Sequence, residues 1–389
     1  MAGLIPHTLS RRQWAAFAAL FVVYAAIAIP LGIHKGDDVT TEIAQARLLL
    51  HGLPIYDVPQ TQGTWWPPCA LLIVVPFAAI ADVSLALAKG LWGAVGIGCL
   101  VWSVATTGRR WGWGPALGAL AVVIFPIHNN FHHLNVETIL LALIVATAVD
   151  NADGRVTRAG VWAGLATAIK LFPGLLLVYF AVRRQWKALA AGVGAAVVAT
   201  LVSLAPLGFA GAGRALTSWI GLTVHGQNFQ GGSVAGLHMQ KLGRLGYALG
   251  GMPAIVMLHL VAIGLVVIAL LPRPIDKDAP LDIGSVTLLA VLLAPIAWLH
   301  SFTLGYLAWV AVIALVPSRS DRRSLTLVWL LGIYASTALS AIRWPAALGF
   351  VTAYNDTIGA LLALGALAWQ RATRARSIAP SSEGSLPSP

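Results

Sequence analysis

Two adjacent acids, Asp37 and Asp38, directly follow the first apolar stretch of the chain, Trp14 to Ile33. With that stretch in a bilayer, both carboxylates sit at the headgroup level. A carboxylate at the edge of a low-dielectric cavity can act as a general base, because partial desolvation raises its pKa towards working pH. A plainer role is equally open: Asp38 can serve as the N-cap of a helix that carries Ile43, Ala46, Leu49 and Leu50 on one face and lies flat on the membrane surface. Other residues able to do chemistry are few. Lys170 stands between two short apolar segments, where a charge is either functional or a lysine snorkelling from a helix end. His300 follows Trp298 at a predicted helix end, and Arg343 precedes Trp344-Pro345. Asn228, Gln230 and Ser233 bring donors and acceptors suited to hydroxyl groups, in a Gly-rich stretch where ordinary loop chemistry explains them as well. His128, His132 and His133 have no cysteine near them in sequence, and two are adjacent, so no metal site is expected.

The elements that must position these residues are membrane helices. Of 389 residues, 58% are hydrophobic and 10% charged, against about 25% charged in an ordinary soluble domain. Spanning-length apolar stretches recur to the end of the chain, including Ala188 to Leu207, Ala254 to Leu271 and Leu325 to Ile342. The first exceeds a signal-peptide core and lacks an A-x-A-like cleavage site, so it reads as a retained helix. No segment between the stretches is long enough for a separate domain. The net charge of +11 is spread through short loops, which fits membrane orientation better than a nucleic-acid surface. Cys69 and Cys99 lie in apolar segments and read as packing residues. The Ser/Pro/Gly-rich tail 377–389 reads as disordered, leaving 1–376 as one transmembrane domain.

Basic residues cluster at Arg11 and Arg12, Arg109 and Arg110, Arg155 and Arg158, Arg183 to Lys187, Arg273 and Lys277, Arg319 to Arg323, and Arg371 to Arg376. The positive-inside rule makes these loops cytoplasmic, with both termini, and the alternate loops outer. Only one crossing fits between the flanking loops of Pro67 to Ile80 and Ala86 to Thr106. The first is short and holds Pro76, so it reads as a juxtamembrane or re-entrant helix. The count is then about twelve spanning helices in an all-α fold, and the long outer loops are His34 to Trp66 and Gly208 to Gly251.

Five stretches, in order, resemble the C-type (GT-C) membrane glycosyltransferases, most closely glycosyltransferase family 87, the polyprenol-phosphate-mannose-dependent mannosyltransferases. They are Asp38 fourteen residues before Gly52 with Tyr56 behind it, TWWPPCALLIVVPF from Thr64, AGVWAGLATAIKLFPGLLLVYFAVRRQWKAL from Ala159, NFQGGSVAGL from Asn228 and APIAWLHSF from Ala294. The chain departs from the pattern where Glu42 replaces an aromatic, where Phe229 and two glycines interrupt the Asn-Gln-Ser loop, and where Leu134-Asn135 stands for Gly-Gln.

The resemblance implies a GT-C fold and inverting transfer of mannose or another hexose from a polyprenyl monophosphate to a lipid-linked or cell-envelope glycan acceptor, at the outer face of the cell membrane. Asp38 would be the catalytic base. Lys170, His300 and Arg343 would hold the donor phosphate, and Asp37, Asn228, Gln230 and Ser233 would contact substrate. No cofactor is implied, and divalent-cation dependence is left open. A phosphate-binding nucleotide loop and a nucleophile elbow are both absent from the sequence. Two rival readings are an arabinofuranosyl donor and a lipid or sugar transporter; the transporter would call for internal repeats and midplane ionisable residues.

Overall fold

The computed structural model describes residues 8–56, 66–225, 242–270, 279–294, 297–315 and 354–378, and these are helical nearly throughout. The helices are α1 (Arg11–Lys35), α2 (Asp37–Leu50), α3 (Ala70–Ala81), α4 (Leu85–Trp111), α5 (Trp113–Val122), α6 (Ile124–His133), α7 (Glu137–Ala152), α8 (Val156–Ile169), α9 (Leu175–Val182), α10 (Trp186–Leu204), α11 (Gly208–His225), α12 (Leu242–Leu270), α13 (Ala279–Leu293), α14 (Tyr306–Leu315) and α15 (Asn355–Ile378). Short 3₁₀ turns precede α9, α11 and α14. In a medium without water a backbone must satisfy its own hydrogen bonds, and helices do so within the segment.

Among the described residues, four helices are long and apolar enough to cross a membrane: Arg11–Lys35, Leu85–Trp111, Trp186–Leu222 and Ala248–Leu270. The pair α5 and α6 passes the same test together across a bend of 59°. The molecule is a multi-pass membrane protein. α3, at 12 residues, reaches about 18 Å against a hydrocarbon core of about 30 Å, as its Pro76 led us to expect. The span Leu325 to Ile342 lies outside the described residues.

The two ends of the bundle are told apart by α1 and α4, which run antiparallel. Arg109, at the end of α4, stacks over Trp14 near the start of α1, 5.1 Å from its ring. Lys89, at the start of α4, reaches the Ile33 carbonyl near the end of α1. The Arg109/Arg110 end also gathers the basic loop between α7 and α8, where Arg110 pairs with Asp153 and where Asp150 accepts from Arg155 at 2.7 Å and from Trp162 at 2.9 Å.

Close approach of helices depends on small residues, since apolar burial drives little association where lipid is equally apolar. A Cβ added to Gly160 would stand 2.0 Å from the Ala188 carbonyl oxygen, and one added to Gly164 would stand 2.1 Å from that of Gly192. α8 and α10 therefore touch backbone to backbone. α13 and α14 do the same through Gly284, whose added Cβ would stand 2.6 Å from the Ala308 nitrogen.

Several sequence expectations are corrected here. Asp38 is not the N-cap of α2. Gly36 takes that place, because a single residue separates α1 from α2 and the helix resumes at once, leaving Asp37 and Asp38 inside its first turn. Of the four apolar residues expected on one face, Ile43, Ala46 and Leu49 are buried and Leu50 is exposed, while Glu42 and Gln45 complete the buried face. The segment Gly208 to Gly251 is not one long loop. α11 starts at Gly208, whose φ of 63° turns the chain after the 3₁₀ turn Ala205–Leu207, and α12 starts at Leu242 and kinks at Gly250 and Gly251. The last helix runs to Ile378, two residues into the expected tail.

The α8–α10 contact yields a test. Gly164→Val forces two backbones apart, and overpacking of this kind costs about 1–3 kcal/mol or more. We expect a clear fall in melting temperature in detergent, whereas Gly194→Ala, where an added Cβ meets nothing within 4 Å, should leave it unchanged.

Candidate active site

Three contacts hold the segment that follows α2. Gln45 donates to the Ile55 carbonyl at 2.7 Å, the Tyr56 hydroxyl donates to the Trp66 carbonyl at 2.6 Å, and Gly52, at φ 67°, passes close to the Pro206 carbonyl. Leu49, Ile55, Tyr56, Leu71, Leu204 and Ala215 close a small apolar core beneath it. This core fixes α2, and with it Asp37 and Asp38, at the end of the bundle opposite Arg110.

The carboxylates face the corner between α6 and α7. That corner is unusual, because Leu134 holds φ 53° and ψ 44°, a left-handed conformation that costs a non-glycine residue about 1–2 kcal/mol. Its side chain is buried in a notch of α1. A Cβ added at Gly32 or Gly36 would stand 2.5 Å from the Leu134 methyl carbons. Trp92 of α4 donates its indole N–H to the Leu134 carbonyl at 2.8 Å. The corner is further closed by Asn130, whose carbonyl accepts from the Asn135 backbone N–H at 2.9 Å and whose side chain accepts from that of Glu137 at 3.0 Å.

Around this corner the structure gathers Asp37, Asp38, His133, Asn135, Glu137, Lys170, His300 and Ser301. Asn135 donates its side-chain N–H to Asp38 Oδ2 at 2.5 Å, while its Oδ1 accepts from the Val136 backbone at 2.8 Å and from Lys170 Nζ at 3.4 Å. Lys170 leaves α8 in an extended conformation and pairs with Glu137 Oε1 at 2.5 Å. Ser301 also donates to Glu137 Oε1, at 3.1 Å, and His300 Nε2 stands 3.9 Å from it, with His300 Nδ1 3.3 Å from Asn129 Oδ1. Asp37 is exposed and pairs with His133 Nδ1 at 2.9 Å.

The two acids are pushed in opposite directions. Burial raises the Asp38 pKa, and the Asn135 hydrogen bond and the His133 and Lys170 charges pull it only part of the way back. Burial also acts on Asp37, but its bond to His133, the His133 charge and two backbone N–H groups outweigh it and hold that carboxyl low. Asp38 therefore has the character of a proton acceptor, and Asp37 that of a fixed anion.

Lys170 carries three N–H donors. Two go to Glu137 and Asn135, and the third has no hydrogen-bond partner among the described residues, where the ammonium lies 5.7 Å from the Phe172 ring centroid. An ammonium whose charge is already matched by a buried carboxylate binds an anion less strongly than a bare one, so the paired state limits what Lys170 can do alone. Asp37, Asp38 and His133 place one ligand atom each within 4.8 Å of one another, close enough for a cation. Asp37 lies 96 residues from His133, so no local pattern pointed to that grouping.

The structure thus brings together Asp37, Asp38, Lys170 and His300 from the sequence-predicted set. Asn228, Gln230, Ser233 and Arg343 lie outside the described residues. Sequence reading missed Glu137, Asn135 and Ser301. Glu137 had a usable signal, since it is the one carboxylate opening an otherwise apolar run, ETILLALIV, and an ionisable residue in such a place is a functional candidate. Asn135 and Ser301 were marked only through the family resemblance, Asn135 as a departure from Gly-Gln and Ser301 inside the stretch APIAWLHSF.

The molecule is an all-helical membrane bundle with a desolvated carboxylate and a paired lysine gathered at one end. The family model of glycosyltransferase family 87 matches residues 65–301, and the chain belongs to that family. The match begins after Asp37 and Asp38, which join the site through the fold. A polyprenol-phosphate-mannose-dependent alpha-(1-2)-phosphatidylinositol mannoside mannosyltransferase from Mycolicibacterium smegmatis is 30% identical over 186 residues, 41% of each chain. The chain thus aligns with less than half the length of that relative. Among solved structures, ArnT from Cupriavidus metallidurans bound to undecaprenyl phosphate gives a TM-score of 0.45 at 15% identity, covering 95% of this chain and 79% of that one. Its apo state gives 0.47 at 14%, covering 93% and 78%.

The Glu137–Lys170 pair makes its own prediction. Lys170→Met leaves an unpaired buried carboxylate, which costs about 3–5 kcal/mol, whereas the double change Glu137→Leu/Lys170→Met removes both charges and should recover most of the loss. Melting temperatures of the three proteins in one detergent decide it. Additive losses would mean that the two charges do not depend on each other.

Proposed function

We propose that the chain is an inverting glycosyltransferase that moves mannose, or another hexose, from a polyprenyl monophosphate to a lipid-linked or cell-envelope glycan acceptor. The observation that carries the reading is Asp38, a desolvated carboxylate with one oxygen held by Asn135, beside a lysine with one N–H unspent. Membership of family 87 supports sugar transfer. The printed activity of the Mycolicibacterium relative supports the donor class and mannose.

In this mechanism Asp38 accepts the proton of the acceptor hydroxyl as its oxygen attacks the anomeric carbon. The bond from that carbon to the phosphate oxygen breaks on the opposite face, the sugar inverts, and polyprenyl phosphate leaves. Lys170 offers its remaining N–H to the phosphate, and His300 hydrogen-bonds it from the neighbouring turn. Asp37, held by His133, faces the substrate. Arg343 is assigned to the phosphate and Asn228, Gln230 and Ser233 to sugar hydroxyls. No cofactor enters this scheme, and residues 1–376 form the catalytic unit.

Asp38→Asn is expected to lower turnover about a hundredfold to ten-thousandfold, because the amide keeps the shape but takes no proton at neutral pH. Asp37→Asn should do markedly less. Assay in nanodiscs with polyprenyl-phosphate mannose and a membrane-lipid acceptor measures both, and near wild-type turnover in Asp38→Asn would sink the mechanism. In the unaltered protein, kcat/KM should fall on acidification with a midpoint above 3.8, the ordinary aspartate value, since the Asp38 pKa is raised and its proton-accepting form is lost as pH drops through it.

The same reading places the Asp38 end of the bundle, about twelve crossings in all, outside the cell membrane and both termini in the cytoplasm. The basic turn Arg183 to Lys187 then faces inward. In intact cells an impermeant thiol reagent should label a cysteine placed at Gly226 and not one placed at Arg184. The opposite pattern reverses the orientation.

A further inference from the structure

We propose that Asn135 is a positioning residue for Asp38, and that Leu134, keyed into the glycine notch of α1, sets where Asn135 stands. The proposal rests on Asp38 acting as the base.

The Asn135 amide can point only one way. Its oxygen faces two donors, the Val136 backbone N–H and Lys170 Nζ, so its N–H group must face Asp38. That bond occupies Asp38 Oδ2, and no hydrogen bond forms to Oδ1 among the described residues. One carboxylate oxygen is thus anchored and the other is presented in a fixed direction. A base works only where its lone pair lies within hydrogen-bond reach of the proton it takes, and a small misplacement is costly to rate.

The anchor is itself gauged against the helix that leads into Asp38. Leu134 enters the notch formed by Gly32 and Gly36, and Gly36 is also the cap of α2. Its carbonyl is held by Trp92 from α4. One side chain therefore references the corner that bears Asn135 to the corner that bears Asp38. Nothing in a merely structural packing role requires that the strained residue directly precede the amide that touches the carboxylate. The charged and titratable neighbours of Asp38 are Asp37 on its own helix, His133 from α6 and Lys170 from the turn after α8, and none of these makes a hydrogen bond to its carboxylate among the described residues.

The test is steady-state kinetics in nanodiscs with polyprenyl-phosphate mannose and a membrane-lipid acceptor. Asn135→Leu, similar in size but without the amide, is expected to lower kcat by about tenfold or more while donor KM stays within about twofold. Asn135→Gln, which retains an amide, should recover part of that loss. Leu134→Ala leaves Asn135 intact but empties the notch, so kcat should fall with donor KM unchanged, and this variant decides the matter where Asn135→Leu does not fold. Wild-type kcat in the deciding variant, or a loss confined to donor KM, overturns the proposal. Asp38→Asn run alongside separates the two readings. An active Asp38→Asn removes the base itself, whereas an inactive Asp38→Asn beside a fully active Asn135→Leu overturns only the positioning role.

Discussion

A charge inside a bundle of apolar helices must be paired or it destabilises the fold, and the ion pair of Lys170 with Glu137 meets that demand at the centre of the site. Moving either ion alone out of water costs several kcal/mol, of order 20 in the ideal limit. At 2.5 Å, with Ser301 and Asn135 supplying further hydrogen bonds, the ammonium and Glu137 Oε1 are compensated, while Glu137 Oε2 is buried with no hydrogen-bond partner among the described residues. It also ties α7 to the turn after α8 and to the 3₁₀ turn before α14. The Asp38 carboxylate then sits beside a neutral pair with one lysine N–H to spare, a setting that leaves its own pKa governed by burial.

A second ion cluster serves a different part of the bundle. Asp282 of α13 accepts from Arg183 at 2.9 Å and from the Tyr179 hydroxyl at 3.2 Å, with Arg371 of α15 at 4.0 Å. These groups join the end of α9, the start of α13 and the last helix, far along the chain from one another. Buried polar clusters of this kind fix which helices meet and in what register, since a one-turn slip would strand a charge. The glycine contacts of α8 with α10 and of α13 with α14 act in the same sense by admitting only one close approach.

Part of the site was legible in the residues themselves. Asp37 and Asp38, placed straight after a spanning-length apolar run, had to lie at an interface whatever the remaining fold, and Lys170 between two short apolar runs had to end near one. Composition alone made the chain a helical membrane protein, because a tenth of residues charged cannot clothe a soluble surface. The Gly52 and Tyr56 elements also had a readable purpose, since a left-handed turn and a hydroxyl that caps a distant carbonyl close the outer loop.

What only the tertiary structure decided is partnership. Lys170 lies 33 residues from Glu137 and 35 from Asn135, and nothing in local propensity says which carboxylate a lysine will meet; that depends on how α7 and α8 pack and where the chain turns between α8 and α9. The N-cap of α2 passed from Asp38 to Gly36 because the α1–α2 corner is tight enough to seat Leu134, a packing event between helices almost a hundred residues apart. Leu134 itself reads as an ordinary apolar residue, and its left-handed conformation is tolerated because its buried side chain fills a notch in another helix. The sequence determined the solvent, the kind of elements and the end of the bundle where chemistry can occur. The long-range contacts, which no short-range pattern encodes, decided which Asp38 oxygen is anchored and which charge is already paired.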